Sequence, residues 1–517
     1  LAVQVHNLSY GSSDLTAIPF LSVLMGSKPT TPPPGVLELS DSYFHTDFKL
    51  DAGGEPIFLR DPGGRLVDSV RFPRMDRNHS YGRDPGEQDK WVVFTMPTPG
   101  NANLGESYRG YLQDTIAFSR PGGWFPSPFQ LTLTAPQSAD TIFYTLDGSE
   151  PGRSSSIFVN PVEVQTGAVV RARVLRSGYI PGKIFTRTFF PGDPHRLPVV
   201  AISTDPRNLW DPGYGIYVKG PGAETDFPYF NANFWQDWER PVHIEFYDET
   251  GVQGFSLDAG IRIFGGWSRG HPQKSLSIFA RNEYGPGTIS CPLFPGRTYS
   301  GYESFVLRNS GNDWFGKDTE SGTMFRDVLM TGLTREMDLE YQEGRPSVVY
   351  INGEYWGIHN IREKINEHYL SSVSGIPPDS LDILESNQQV IQGSAAEYAS
   401  LVSFLSANDI SLKGNYEYVK QKMDVRNFIR YQVAQVYFDN RDWPGNNIKY
   451  WRPAVPWGKW RWIVFDTDFG FGLWDLNNVY RNTIGFALET YGPDWPNPPW
   501  STLLLRSLME NDEFRED

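Results

Sequence analysis

Cysteine is nearly absent. The 517 residues contain one, Cys291, so no intrachain disulfide holds the fold. A lone thiol is neutral on compartment, because a chain of this size can bury enough core without cross-links. Histidine is scarce as well, at eight, and none has the spacing of a zinc site. Long apolar runs are missing. The strongest early one, AIPFLSVLM at 17–25, is too short to span a bilayer. Basic runs are missing too. Lys and Arg total 46 against 61 Asp and Glu, a net charge of -15. That balance argues against a nucleic-acid footprint and against binding to anionic membranes. It leaves room for a phosphate-bearing small ligand, which needs only a few local cations and a metal. The chain starts at Leu1 without a basic leader, so no signal peptide is expected in this stretch. Its last residues, STLLLRSLMENDEFRED, read as a helix cut in progress, and the chain is expected to be a fragment or processed form.

Aromatics are plentiful, at 15 % with 16 Trp and 26 Tyr, as in large antiparallel β proteins and many extracellular ones. Length suggests about three domains. Residues 1–39 are a poorly patterned N-terminal segment ending in KPTTPPPG. Residues 40–107 read as short alternating strands, with a hairpin turn at Asp61-Pro62-Gly63-Gly64. Together with SYGR (80–83) and KWVVFTMPTPGNAN (90–103), that hairpin resembles the C-terminal half of a lamin-tail domain, an immunoglobulin-like β-sandwich, here partial. Residues 118–190 form a second all-β stretch. Its turn, with Tyr144, Thr145, Asp147, Gly148, Ser149 and Pro151, resembles the chitobiase C-terminal-like module of secreted carbohydrate-active proteins. Turn geometry alone explains the Asp-Gly pair, so a spacer is expected there ahead of a sugar site. After the linker PGDPHRLP (191–198), helices appear among the strands, predicted over 322–336, 363–373, 394–407, 414–438 and 500–515. Residues 196–517 thus read as one α+β domain.

The chemistry concentrates in FDNRDWPGNN, 438–447. Val425, Phe428, Ile429, Val433, Val436 and Tyr437 recur at near-helical spacing just before it, so a packed helix delivers this turn to a fixed place. Arg441-Asp442 is followed five residues later by Asn447, and the strand KWRWIVFD then runs into DTDFGFG, 466–472. Arg-Asp, then Asn, then Asp-Phe-Gly is the order that protein kinases use. One carboxylate orients the attacking hydroxyl, and oxygen ligands hold Mg²⁺ against the phosphates. Asp466 and Asp468 are two apart, which puts both on one side of an extended strand. Gly265, Gly266 and Lys274, in GIRIFGGWSRGHPQKSLSIFARNEYG, offer a glycine cover and a phosphate-pairing cation.

These pieces, with FVLRNSGNDW (305–314), TMFRDVLM (323–330) and VVYINGEYWGIHNIREKINEHYL (348–370), resemble the CotH (spore coat protein H) family of atypical, protein-kinase-like enzymes, in order across 196–517. The resemblance implies an α+β kinase-like domain behind two sandwich modules. It also implies ATP and Mg²⁺ as cofactors and a Ser, Thr or Tyr hydroxyl of a protein partner as acceptor. Asp442 would be the catalytic carboxylate, with Asn447 and Asp468 as metal ligands and Asp466 supporting or replacing the latter. Lys274, Gly265, Gly266 and Glu363 would contact the nucleotide, Lys274 as a catalytic cation on phosphate and Glu363 at the hinge. Asp327 would pair Lys274, and Arg441 would support Asp442. The expected setting is secreted or on a bacterial cell surface, where polysaccharide is a second partner class for the β modules. The rival reading is a non-catalytic surface or carbohydrate-binding protein with a degenerate kinase fold. A glycosidase using two of these aspartates is a third, although carboxylates two residues apart lie closer than that reaction wants.

Overall fold

The computed structural model describes residues 2–4, 50–51, 53–76, 78–98, 101–103, 105–113, 115–137, 140–314, 316 and 322–517. The chain forms two compact units, one of residues 1–122 and 127–189, the other of 123–126 and 190–517. Most of the segment 1–39, with AIPFLSVLM, lies outside the described residues.

The first unit is β-rich. Strands Ser80–Arg83 and Trp91–Phe94 lie at the centre of one sheet, and Ala2–Gln4 pairs with the former. Hairpin Pro56–Arg60 and Leu66–Arg71 turns where DPGG predicts, with the Asp61 side chain accepting from the Arg65 amide at 2.9 Å. The two stretches expected as separate modules share a core here: Ile180 packs with Leu50, Phe72, Met75 and Val93. The amide of Leu112 donates to the Ile180 carbonyl. In the second stretch, Thr141–Thr145 pairs with Ala168–Leu175, which pairs with Phe185–Pro191. The Asp147 turn is self-contained. Asp147 Oδ1 accepts from the amide and hydroxyl of Ser149, Gly148 takes φ +86°, and Arg171 donates to the Gly148 carbonyl. These groups are spent on the turn.

The second unit is mixed α/β. A closed barrel runs in the order Val199–Ser203, Arg240–Tyr247, Gln253–Phe264, Ser275–Phe279, Ser304–Arg308, Glu354–Glu363 and Gly344–Ile351. The last strand closes on the first in parallel, Val199 beside Val348. Side chains alternate across each strand. Val242, Ile244, Ile261, Ile263, Leu276, Ile278, Phe305, Leu307 and Ile361 fill the interior. Their neighbours Arg262, Ser275, Ser277, Arg308 and Arg362 therefore point outward.

Beyond the barrel, a five-stranded sheet runs in the order Glu340–Tyr341, Arg461–Val464, Lys449–Pro453, Leu381–Glu385 and Gln389–Gln392. Helices pack on it around Tyr416, Phe428, Tyr431, Trp443, Trp460 and Leu508. The expected helix 414–438 is two, Lys413–Lys422 and Val425–Phe438. Between them Met423 bridges Trp460, and Asp424 caps the second helix by accepting from the Asn427 amide. Helix 322–336 is observed as Arg326–Leu333, 363–373 as Glu367–Ser374, and 500–515 as Pro499–Leu508 and Asp512–Glu516. The buried stripe of Val425–Phe438 is Val425, Phe428, Tyr431, Ala434 and Phe438, whereas Val433 and Tyr437 are exposed.

Candidate functional site

Helix Val425–Phe438 ends at Asp439, which turns left-handed with φ 47°. The loop that follows is tied down residue by residue. Asn440 donates to Gln435 Oε1 and accepts from the Asp442 amide, and the Gly445 amide reaches the Pro496 carbonyl at 2.6 Å. This holds Asp442 in a buried place, and the crowding of amides explains how it is tolerated. Asn446 Nδ2 and Trp495 Nε1 donate to Asp442 Oδ1 at 2.8 and 2.9 Å, and Asn447 Nδ2 donates to Oδ2 at 2.8 Å. A buried carboxylate needs such donors. Burial still dominates, and with the Asp466 charge it pushes the Asp442 pKa up to about 7 against the three hydrogen bonds.

The second carboxylate group lies just past strand Arg461–Val464. The strand stops before Asp466, which is left-handed with φ 52°. The expectation that Asp466 and Asp468 share one side of an extended strand is therefore corrected: a turn brings them together. Asp468 is 1 % exposed. Its Oδ2 accepts from the Asn312 amide at 2.5 Å, and among the described residues its Oδ1 has no hydrogen-bond partner. Burial, then the neighbouring Asp466, raises its pKa well above the usual carboxylate range. Asp442, Asp466 and Asp468 thus form one electrostatically linked cluster.

Opposite them stands a residue that sequence reasoning passed over. Arg308 ends strand Ser304–Arg308 and pairs with Asp466; its Nη2 lies 3.5 Å from Asp468 Oδ1 and its Nη1 3.7 Å from Asp327 Oδ2. Arg362 Nη2 reaches the same Asp327 oxygen at 3.2 Å. Asp327 Oδ1 accepts from the amide and hydroxyl of Thr467, between the two acids. Burial alone would raise the Asp327 pKa, but Arg362 and Arg308 together hold it below the ordinary value. The stretch FVLRNSGNDW contains Arg308 and the loop that caps Asp468, yet nothing local marks their contacts with Asp466 and Asp468, more than 150 residues away. Trp495 left no signal at all.

Gly311 is the tight point of that loop. Its φ is +61°, and a Cβ there would sit 2.4 Å from Asp468 Oδ2 and 2.7 Å from Arg308 Nη2. Gly311→Ala is expected to destabilise the protein by about 1–3 kcal/mol through left-handed strain and displacement of both groups. Urea unfolding of the variant would measure it; a midpoint equal to wild type would contradict the packing described.

Two expected pairings, Asp327 with Lys274 and Arg441 with Asp442, are not made, and Lys274 and Glu363 have other partners. Lys274 shares parity with Leu276 and Ile278, so it faces the barrel-interior side. Its Nζ donates to the carbonyls of Arg269 and His271 at 2.7 and 2.9 Å and lies 3.9 Å from the Phe234 ring. Burial, then Lys219, lowers its pKa to about 7. It turns away from the carboxylates, which corrects its assignment as phosphate-pairing cation. Asp327 does not pair Lys274, because Arg308 and Arg362 take it. Gly265 and Gly266 link two strands of regular register and lead into the short turn Trp267–Gly270, with the Gly265 carbonyl accepting from Arg269. Glu363 is buried, with its carboxylate on Arg297 and its carbonyl accepting from Gln342 at 2.5 Å. A nucleotide contact through that residue is therefore corrected as well. Arg441 does not touch Asp442 and instead donates to Asn478 Oδ1 at 2.9 Å.

Among the described residues no group of three or more His, Cys, Asp or Glu is arranged as a ready-made metal site. Mg²⁺ does not require one, since it takes one or two protein carboxylates and fills its other positions with phosphates and water. The buried, unbonded Oδ1 of Asp468 is the kind of oxygen such an ion would satisfy. Asn447 spends its Nδ2 on Asp442, which leaves its Oδ1 for a cation.

Residues 261–517 match the family model described as CotH kinase protein. Residues 120–186 match the chitobiase/beta-hexosaminidase C-terminal domain. No curated protein matches the chain.

Proposed function

From a chain that carries a domain of the CotH kinase protein family, we infer an atypical, Mg²⁺-dependent kinase that moves the γ-phosphate of ATP to a hydroxyl side chain of a protein partner. The observation that carries this reading is the convergence of Asp442, held by Asn447, with Asp466 and an Asp468 whose Oδ1 is unbonded. Asp442 orients the acceptor hydroxyl and receives its proton. The acceptor oxygen bonds to the γ-phosphorus as the bond to the β–γ bridging oxygen breaks, and ADP leaves with that electron pair. Asn447 joins both halves of the site, its amide nitrogen on Asp442 and its oxygen free for the ion. Asp468, seconded by Asp466, would be the other ligand. When bound, Mg²⁺ supplies the charge that neutralises and orients the phosphates.

The acceptor is a Ser, Thr or Tyr of a partner protein, and the setting is outside the cell or on its surface. The chitobiase-type module supports that setting. No helix among the described residues is long and apolar enough to cross a membrane. We take the β-rich unit as immunoglobulin-like spacers, since the Asp147 turn spends its polar groups on itself.

Thermal unfolding tests the reading. ATP with Mg²⁺, at about 100 times the dissociation constant, is expected to stabilise the protein by about 2.7 kcal/mol. ATP without metal is expected to do much less, and Asp468→Ala to lose the metal-dependent part. Wild-type protein with no response to Mg²⁺ and ATP would refute the proposal.

A further inference from the structure

Arg308 deepens the phosphotransferase reading, and its role here rests on that reading. The barrel face toward the carboxylates carries two buried guanidiniums. Arg362 also has unused donors, its Nε and Nη1 being buried without an acceptor among the described residues, but its bonded Nη2 is spent on Asp327, the Gln342 carbonyl and side chain, and Thr331, and none of its ion pairs is with Asp466 or Asp468. Arg308 alone also reaches the Asp466–Asp468 pair. Its Nε is buried with no acceptor among the described residues, so one donor of its fork is unused. Lys274, the other candidate cation, is held by carbonyls on the opposite side of its strand.

A guanidinium lying on Asp466 and close to the free oxygen of Asp468 occupies the field that a divalent ion would need. Two like charges a few ångströms apart repel strongly inside a protein. A phosphate changes this balance, because a guanidinium fork matches phosphate oxygens as well as carboxylate ones. We propose that Arg308 is the phosphate-receiving cation of this site and that, before nucleotide arrives, it is the counter-ion that keeps a bare divalent cation off Asp466 and Asp468. When nucleotide arrives, Arg308 passes from Asp466 to phosphate, which would leave Asp466 and Asp468 to hold a divalent ion.

Manganese binding, followed by electron paramagnetic resonance on the full chain, tests this apart from any turnover. Without nucleotide, wild type is expected to bind Mn²⁺ weakly, and Arg308→Gln to bind it about tenfold more tightly or better, about 1.4 kcal/mol. With Mg²⁺ present, ATP affinity measured by calorimetry is expected to fall about tenfold or more in Arg308→Gln. Arg308→Lys keeps the charge without the fork; it should retain weak Mn²⁺ binding yet lose ATP affinity, and it serves if the Gln variant does not fold. Equal Mn²⁺ affinity in wild type and Arg308→Gln, or strong Mn²⁺ binding by Arg308→Lys, would overturn the counter-ion role. Unchanged ATP affinity in both variants would overturn the phosphate role. If wild type binds no ATP at all, the phosphate role and the parent proposal fall together, and the nucleotide-free Mn²⁺ comparison still decides the counter-ion role.

Discussion

Replacing Asp442 with Asn is expected to lower the rate of phosphate transfer by about 10²–10⁴-fold, the range for loss of a positioned general base. ATP binding should change little. The substitution keeps the shape of the side chain and the acceptor facing Asn446 and Trp495, so the loop has reason to stay in place. It removes the proton acceptor and turns one terminus into a donor facing the Asn447 amide. Radiolabelled transfer beside a separate binding measurement would check this; equal rates for the two proteins would remove Asp442 from the mechanism. The same substitution has a signature in pH. Burial holds the Asp442 pKa at about 7, above the ordinary 3.8, so the folded protein prefers the neutral form. That preference stabilises the fold fully below about pH 4 and is lost as pH rises towards 7. Asn cannot ionise. In chelator, Asp442→Asn should therefore gain stability relative to wild type between pH 4 and 7, on the order of 4 kcal/mol in total, and hold the gain above pH 7. A flat difference across that range in urea titrations would show that Asp442 ionises freely.

Asp327→Ala is expected to cost about 3–5 kcal/mol of stability, the range for removing one partner of a buried ion pair. Asp327 is 3 % exposed and is the acid shared by Arg308 and Arg362. Its loss leaves Arg362 buried beside neutral partners and takes the acceptor from the Thr467 amide. Asp327→Asn should fall less far, because the Thr467 contact can persist. Adding Arg362→Met to Asp327→Ala should recover part of the loss, since the stranded charge goes too. Chemical denaturation of the set measures each step; strict additivity would show that the two residues do not act as a pair.

What could be read from the sequence follows how locally each contact is made. Asp442 and Asn447 share one loop, and the Asp466–Asp468 motif is two residues long, so spacing alone placed each group of acids. Lys274 was misread because its direction depends on strand parity, and no local signal says which of Lys274 and Ser275 faces the barrel interior. Arg308 was passed over because two of its acids, Asp466 and Asp468, stand far along the chain, and the nearer one, Asp327, was assigned to Lys274. The break at Met423–Asp424 was legible in principle, as an Asp cap before an apolar run, but continuous periodicity hid it. Val433 and Tyr437 fitted a helical stripe and face solvent instead, since apolar spacing admits more than one face when aromatics are common.

The barrel closes through a parallel pairing of Val199–Ser203 with Gly344–Ile351. The family match begins at residue 261, inside strand Gln253–Phe264. A polypeptide trimmed to the matched segment would lack two staves and most of a third. It would present raw edges and an open apolar lumen, a recipe for self-association. The matched stretch is thus shorter than the stretch that must be synthesised before this barrel can close, and recombinant boundaries belong ahead of Val199.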